Sequence, residues 1–480
     1  MDNNFERFGL DKKIIEALDE LGFNKATNVQ EKVIKEALLN KDLVVKAETG
    51  TGKTASFVIP IIEKINWEEN NPQALILAPT RELAIQIGED VKNIGRYKRI
   101  KGVNLYGKIP FKEQQRELKG KCHVAIGTPG RVLDHIDRET LDTKDIKYLV
   151  IDEADEMLNM GFISQVEAVI RRLNKNRVTM LFSATISEEI KNLCSNIMNK
   201  EVYIEIESQN VAKDNIEHFI YKVKEEEKQK NLRNLLIEEK PNLAVIFCRT
   251  KENVEITYKY LKELNYSVGK IHGGLLQKER TEGMEAFKNG EFRILIATDV
   301  LSRGIDVDDI THVINLDLPL EKEAYVHRTG RTGRNGKKGR AFTFITAFEE
   351  NFLKSIEDYI GFEIERVDLK ELYIDREEMK NNEEYLKKTP LKKNIDRKKV
   401  TKGIVKLYFN GGKKKKIRAL DFVGTISKIK GISADDIGII EIEDNGSYVE
   451  ILNGKGDVVL SVIKDMTIKG KKRRVEKARR

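Results

Sequence analysis

The stretch Leu43-Val44-Val45-Lys46-Ala47-Glu48-Thr49-Gly50-Thr51-Gly52-Lys53-Thr54 sets the class of fold. Its first residues read as a short buried β-strand, its middle as a glycine loop, and the apolar run after Thr54 as a helix. Strand, glycine loop and helix in that order form the context a phosphate-binding loop requires. Gly50 and Gly52 let backbone amides turn toward a polyphosphate with no Cβ in the way. Lys53 would reach the outer phosphates, with Thr49 and Thr51 in the cradle. The Thr54 hydroxyl would sit on Mg²⁺, and the helix would point its positive end at the anion. Ala47 stands where the strict pattern has glycine, and such a loop standing alone is also read as an ordinary turn.

A second segment changes the weighting. Tyr148-Leu149-Val150-Ile151 is an apolar strand that ends in Asp152-Glu153-Ala154-Asp155. Ligands of parallel α/β sheets collect at the carboxyl ends of strands. Asp152 is thus placed to hold Mg²⁺, and Glu153 to orient or deprotonate an attacking water. An acidic helix start is the plainer reading of an Asp-Glu pair. Beside a phosphate loop, the pair predicts a nucleoside-triphosphate hydrolase.

Outward from these two sites, short β-rich segments alternate with longer helical patterns. The candidate strands are 43–46, 74–77, 123–126, 148–151 and 180–182, then 244–247, 267–271, 293–296, 312–315 and 341–345. Apolar strands separated by helices predict buried parallel sheets, an α/β class. A polar stretch at 208–215 divides them into two sets of five, hence two doubly wound lobes, 1–207 and 208–374. Residues 375–400 are highly charged and read as a linker or a helix with a solvated face. Apolar segments return in 401–475, punctuated by Asn410-Gly411-Gly412, Asp444-Asn445-Gly446 and Asn453-Gly454. They predict a small α+β domain, with the last twelve residues, Lys469–Arg480, as a frayed end rich in bases and 476–480 as the basic tail.

Composition narrows the partner. The 480 residues carry a net charge of +8, yet Lys392–Arg480 holds 24 basic and 11 acidic residues, a balance of +13. The remainder is slightly acidic. Such asymmetry suggests a polyanionic partner. The longest apolar run, Leu243–Cys248, is far short of the ~18 residues a membrane span needs. No apolar signal stretch follows the first residues, which predicts a chain that is not secreted. The three cysteines lie far apart and form no Cys-x-x-Cys pair, which fits a reducing cytoplasm.

The chain resembles the DEAD-box RNA helicases. It carries Asp152-Glu153-Ala154-Asp155 itself, with PTRELA at Pro79–Ala84, TPGR at Thr128–Arg131 and SAT at Ser183–Thr185. IFCRT at Ile246–Thr250, ATDVLSRGID at Ala297–Asp306 and HRTGRTGR at His327–Arg334 follow in order. Phe8 and the segment Gly22–Gln30 resemble the adenine-reading Q motif. The resemblance covers about residues 5–370 and implies two RecA-like lobes that use ATP and Mg²⁺. It implies that Gln30 reads the adenine edge while Phe8 packs on the ring. Ser183 and Thr185 resemble the motif that couples the Asp152–Asp155 segment to lobe closure, and His327 would link the nucleotide to the other lobe. Asp306 would approach the ribose, and Arg331 and Arg334 would act as arginine fingers at the γ-phosphate.

The same resemblance implies an RNA groove. In lobe one it is lined by Pro79, Thr80, Arg81, Thr128, Pro129, Gly130 and Arg131. In lobe two the lining residues are Arg249, Thr250, Gly273, Gln277, Arg280, Thr298, Asp299 and Arg303. Hydroxyls, amides and arginines suit phosphate and 2′-OH contacts, which position a strand without reading bases. Three positions depart from the family pattern: Ala26 for a proline, Tyr106-Gly107-Lys108 for a Gly-Gly pair, and Thr329 for an isoleucine.

Residues 401–475 resemble the RRM-like RNA-binding domain of the DbpA subgroup of these helicases. That subgroup recognises a hairpin of large-subunit (23S) ribosomal RNA and acts in assembly of the large subunit (pre-50S particles). Lys413, Lys414, Lys415, Lys416 and Arg418 form a candidate phosphate stripe, with Tyr448 as the retained aromatic at an RRM stacking position. The expected activity is an RNA-dependent ATPase that opens short duplexes. The alternatives are an RNA clamp, a DNA-directed helicase, or a general RNA-remodelling protein without ribosomal specificity.

Overall fold

The computed structural model describes residues 4–47, 51–206, 215–299, 307, 309–333, 337–367, 376–390 and 403–478. Among the sequence-selected site residues, Thr49, Gly50, Arg303, Asp306 and Arg334 lie outside the described residues, as does most of the 208–215 divider.

Lobe one is built on a parallel sheet of seven strands, not five. The strands are β1 (Leu43–Lys46), β2 (Ala74–Leu77), β3 (Gly102–Leu105), β4 (Val124–Gly127), β5 (Tyr148–Ile151), β6 (Val178–Ser183) and β7 (Val202–Glu205). Their spatial order is β3-β4-β2-β5-β6-β1-β7. The central strands are buried on both faces, which is why they read as unbroken apolar runs. The two edge strands escape sequence reading because they alternate: β3 is Gly-Val-Asn-Leu and β7 is Val-Tyr-Ile-Glu, each with half-exposed positions. The order reverses around β1 and β5, so the phosphate loop after β1 and the acidic segment after β5 leave the same carboxyl edge.

Lobe two repeats the plan with β8 (Ile216–Lys222), β9 (Ala244–Phe247), β10 (Val268–Ile271), β11 (Ile294–Ala297), β12 (His312–Asn315), β13 (Gly339–Ile345) and β14 (Glu365–Val367). The order is β10-β11-β9-β12-β13-β8-β14, with every pairing parallel. Here the unforeseen strands are β8 and β14, both rich in charge. The segment read as a charged linker or a helix with a solvated face contains a helix, Arg376–Lys387. Leu386 and Asn382 of that helix are buried on lobe two, and Asn382 Nδ2 donates to the Ile237 carbonyl at 3.1 Å. The Tyr385 ring lies 3.9 Å from the Arg293 guanidinium.

The C-terminal domain has an antiparallel sheet ordered β16-β17-β15-β20, from β15 (Val405–Phe409), β16 (Ile437–Ile442), β17 (Ser447–Ile451) and β20 (Val475–Lys477). A short hairpin, β18 (Thr467–Ile468) with β19 (Lys471–Lys472), precedes the last strand. Helices Ala419–Ile426 and Gly456–Ile463 cover one face of the sheet. Phe409 is fully buried among them while Tyr408 points to the other face, as strand alternation requires. The basic end is not frayed through residue 477, because Phe409 and Val475 are register partners at the sheet edge.

Lobe one and the C-terminal domain form one compact unit, and lobe two the other. Within the first unit, buried Arg99 donates from Nε to the Ile437 carbonyl at 2.9 Å and also bonds the Ala434 carbonyl. Ion pairs Lys13–Asp435 at 2.9 Å and Lys101–Glu441 at 3.4 Å flank it.

Candidate nucleotide and RNA sites

The phosphate loop is gripped from behind by the segment that carries Gln30. Thr27 caps helix Asn28–Leu38, and its backbone N–H donates to Gln30 Oε1 at 2.9 Å. Gln30 Nε2 then donates to the Gly52 carbonyl at 3.2 Å, and the Thr27 hydroxyl donates to the Thr51 carbonyl at 2.8 Å. Gln30 is buried, and its amide links the capping turn to the loop. Gly52 has φ +90°, and a Cβ there would lie 2.6 Å from Gln30 Nε2. Phe8 is half-buried against the core beside this turn, with the Arg7 guanidinium 5.1 Å from its ring.

Lys53 opens helix Lys53–Lys64 and is 7% exposed, yet its Nζ has no hydrogen-bond partner among the described residues. Glu153, held at φ 53° where β5 turns into helix Ala154–Asn159, likewise buries Oε2 without a partner. Buried charges left unpaired cost several kcal/mol, on the order of 3–5 by one measure, so they mark a site shaped for something else. Asp152 sits between them in charge. Burial pushes its carboxyl up to about 7 against the pull of Lys53, and its Oδ1 accepts from the Glu153 amide at 3.1 Å.

Asp155 is a residue that sequence reading left without a role. Its Oδ2 accepts from the backbone amides of Ala184 and Thr185, both at 3.0 Å, and from the Thr185 hydroxyl at 3.3 Å. In return the Asp155 amide donates to Ser183 Oγ at 3.2 Å, and Ser183 Oγ donates to the Thr185 carbonyl at 2.6 Å. The Ser183–Thr185 turn and the acidic segment are thus one hydrogen-bonded body. The resemblance already links the acidic segment as a whole to Ser183 and Thr185, but nothing in the chain order singles out Asp155 as the residue that makes the bonds.

Lobe two has its own hub. Asp317 accepts from Lys228 Nζ at 2.8 Å, the Arg249 amide at 2.9 Å and Asn253 Nδ2 at 3.0 Å. Arg249 Nη2 reaches the Leu318 carbonyl and Glu349. Fully buried Arg328 bonds Asn315 and the Asp317 carbonyl, and pairs in two-pronged fashion with Asp299. Asp299, expected to face RNA, therefore spends both carboxylate oxygens positioning Arg328. Arg331 and His327 are buried on helix Lys322–Thr329 and its end, with Arg331 Nε donating to the His327 carbonyl at 3.0 Å. Thr329, in place of an isoleucine, returns its hydroxyl to the Tyr325 carbonyl at 2.9 Å and so adds no unsatisfied group.

Comparison with known proteins assigns these lobes. The DEAD/DEAH box helicase family matches residues 27–193, the helicase conserved C-terminal domain residues 227–336, and the DbpA RNA binding domain residues 406–477. The chain is 54% identical over 479 residues to the ATP-dependent RNA helicase DbpA of Bacillus subtilis (strain 168), covering 99% of each.

The chain belongs to the DEAD-box RNA helicases.

It is an ATP-dependent enzyme of that family with a DbpA-type RNA-binding domain. The DEAD-box helicase CshA of Bacillus cereus (strain ATCC 10987 / NRS 248) is 39% identical over 364 residues, 76% of this chain and 69% of its own. Two solved structures share the fold. S. cerevisiae Dbp5 bound to RNA and ADP BeF3 has TM-score 0.70 and 31% identity, over 80% of this chain and all of that one. Mss116p bound to ssRNA and AMP-PNP has TM-score 0.68 and 30% identity, over 80% and 82%.

Several residues of this helicase expected at RNA lie at helix starts. Thr80 caps helix Arg81–Ile94, and Thr128 with Pro129 opens helix Pro129–Asp137. Pro79 precedes that first cap, Gly130 is exposed, and Arg81 passes close to Gly107. Thr250 caps helix Lys251–Glu263 through the Asn253 amide at 3.1 Å. Gly273 is exposed with open space around it, and Gln277 and Arg280 share helix Gln277–Lys288. Thr298 buries a hydroxyl with no partner among the described residues. Helix N-termini repeated in this way offer backbone N–H groups suited to phosphates.

In the C-terminal domain of the helicase, Lys413–Lys416 form an exposed turn ending at Lys416 with φ 54°. Lys415 returns its Nζ to Asn410, and Lys413 bonds the Lys119 carbonyl of lobe one. Exposed Arg418 caps the next helix through Asp421. Tyr448 stacks obliquely on Tyr408 at 5.2 Å on the sheet face that carries Lys406 and Glu441.

Proposed function

We propose that this helicase hydrolyses ATP with Mg²⁺ to open short RNA duplexes locally, and that its C-terminal domain directs it to a hairpin of 23S ribosomal RNA during large-subunit assembly. One observation carries the catalytic half: Lys53 and Glu153, of opposite sign, are both buried with unpartnered side-chain atoms around Asp152.

The donor set fits the groups invoked. Lys53 Nζ is a desolvated cation suited to the β and γ phosphates. Asp152 and Thr54 would hold Mg²⁺, which in phosphate sites commonly takes one or two carboxylates and completes its shell with phosphates and water. When bound, the ion supplies charge neutralisation at the phosphates. Glu153 Oε2 would accept a proton from, or orient, the attacking water. Gln30 would turn its remaining N–H to the adenine edge. Arg331 and Arg334 are the proposed source of positive charge for the transferring phosphoryl group.

The targeting half rests on the likeness of residues 406–477 to the DbpA RNA binding domain and on the exposed lysine turn.

Glu153→Gln tests the catalytic reading. It should bind ATP and RNA as the parent does and lose turnover by at least a hundredfold, whereas near-normal turnover refutes the assignment. Replacing Lys414, Lys415 and Lys416 by alanine in the full chain tests targeting. Stimulation by large-subunit ribosomal RNA should fall and stimulation by unrelated RNA should persist. Equal loss with both refutes it.

A further inference from the structure

Helix Phe111–Lys119 has one fully buried side chain, and it is a glutamine. Gln114 is 3% exposed, and its amide is used from both ends. Nε2 donates to the Tyr106 carbonyl at 2.9 Å, while Oε1 accepts from Arg131 Nη1 at 2.9 Å and from His135 Nε2 at 3.2 Å. The other Nη1 hydrogen of Arg131 goes to the Ile109 carbonyl at 3.0 Å. Loop 106–110 and the Arg131 side chain are therefore tied to each other directly and again through Gln114.

Supporting groups fix the orientation of that amide. His135 is buried, stacked on Phe111 at 4.1 Å, and its Nδ1 lies 2.7 Å from the Thr140 hydroxyl. Burial pushes the imidazole down to about 4, so it is neutral at ordinary pH. Nε2 faces a carbonyl-type oxygen and must carry the proton, so Nδ1 shares the Thr140 hydroxyl hydrogen with the His135 carbonyl, 3.0 Å from that hydroxyl. The loop itself is held at a cost, since Lys108 adopts φ 63°, in the region glycine favours. A family Gly-Gly pair would bend there freely, whereas here the bend is imposed by the bonds at Tyr106 and Ile109.

We propose that Gln114 is a positioning residue for RNA: it presents the outer edge of the Arg131 guanidinium, whose Nε lies 4.0 Å from Asp134 Oδ2, to the strand and holds loop 106–110 beside it. The inference rests on the reading that Arg131 contacts RNA. An arginine whose Nη1 is fully spent inward keeps its outer edge aligned for a phosphate, so less side-chain freedom is lost on binding.

The test uses the full-length protein with Gln114→Leu, Gln114→Glu, Arg131→Ala and the double variant Gln114→Leu/Arg131→Ala. RNA-stimulated ATPase gives KM for RNA, KM for ATP and kcat. Gln114→Leu should raise KM for RNA about tenfold, the scale of a lost hydrogen bond to a charged group. KM for ATP and kcat at saturating RNA should hold. Gln114→Glu, which keeps an acceptor for Arg131, should recover part of the loss and also serves if the leucine variant is unstable. The double variant should be no worse than Arg131→Ala alone, because the glutamine acts through the arginine. Additive losses, or an unchanged KM for RNA in Gln114→Leu beside a raised one in Arg131→Ala, overturn the proposal. An unchanged KM for RNA in Arg131→Ala instead overturns the underlying RNA reading.

Discussion

Asp155 holds Thr185 by two bonds at once, accepting the backbone amide at 3.0 Å and the hydroxyl at 3.3 Å on the same carboxylate oxygen. The consequence is mechanical. A shift of the acidic segment on nucleotide binding or hydrolysis must move the Ser183–Thr185 turn with it, since the Ala184 amide shares that oxygen.

Asp155→Ala leaves those amides without their acceptor and separates the two segments. It should retain ATP binding within a few-fold, lose RNA-stimulated turnover by tenfold or more, and lower stability by about 1–3 kcal/mol. Thr185→Ala removes only the hydroxyl and should be milder. Titration of a nucleotide analogue alongside steady-state ATPase separates binding from turnover.

Gly52→Ala should damage the nucleotide site without touching any catalytic group. The position sits at φ +90°, and the added methyl would meet Gln30 Nε2 at 2.6 Å. The left-handed backbone alone costs roughly 1–2 kcal/mol in a residue with a Cβ. We expect nucleotide affinity to fall about tenfold or more, measured by calorimetry, with RNA binding in the absence of nucleotide unchanged.

His123 should cost lobe one stability as pH falls below neutrality, while Asp152, whose buried carboxyl takes up a proton in the fold near pH 7, works in the opposite sense. His123 accepts the Lys101 amide at Nδ1 (2.8 Å), which leaves Nε2 to donate to the Trp67 carbonyl (3.0 Å). Burial pushes this imidazole down to about 4. Unfolded, it would take a proton near 6.5, so between pH 6.5 and 4 the unfolded chain binds a proton that the folded chain refuses. Stability is whole above pH 6.5 and declines on acidification, by up to about 3 kcal/mol from this residue. His135 acts in the same direction. Urea unfolding at pH 7 and pH 5 should isolate this contribution by difference: on going to pH 5, His123→Gln should gain stability relative to the parent.

Asp317→Ala should be among the most damaging changes in lobe two. Lys228, 5% exposed, would keep only the Glu225 pair, and the Arg249 amide would lose its acceptor. Removing one partner of a buried ion pair costs about 3–5 kcal/mol. Denaturant unfolding checks the magnitude, and a raised KM for RNA checks whether Arg249 has moved.

Much of this protein was written locally. The phosphate loop, the acidic strand end and the buried central strands declare themselves because their chemistry is carried by neighbours in sequence, with glycine beside lysine or apolar runs of strand length. The residues that escaped are those whose partners are remote. Asp155 gains meaning only from Thr185, Asp317 from Lys228 and Arg249, Arg328 from Asp299, and Gln114 from Arg131. The edge strands β3, β7 and β14, and β8 next to the last of them, escaped for a related reason, since a strand with exposed positions shows no continuous apolar run.

Sequence by itself determined the class of fold, the ATP-dependent chemistry and the basic character of the C-terminal domain. Only tertiary structure decided that Asp299 is a brace for Arg328, that helix Arg376–Lys387 packs on lobe two, and that Arg99 is buried against the Ala434 and Ile437 carbonyls. The physical reason is the same in each case. A buried polar group must find a partner wherever the fold places one, and that partner is chosen by three-dimensional proximity rather than by order along the chain.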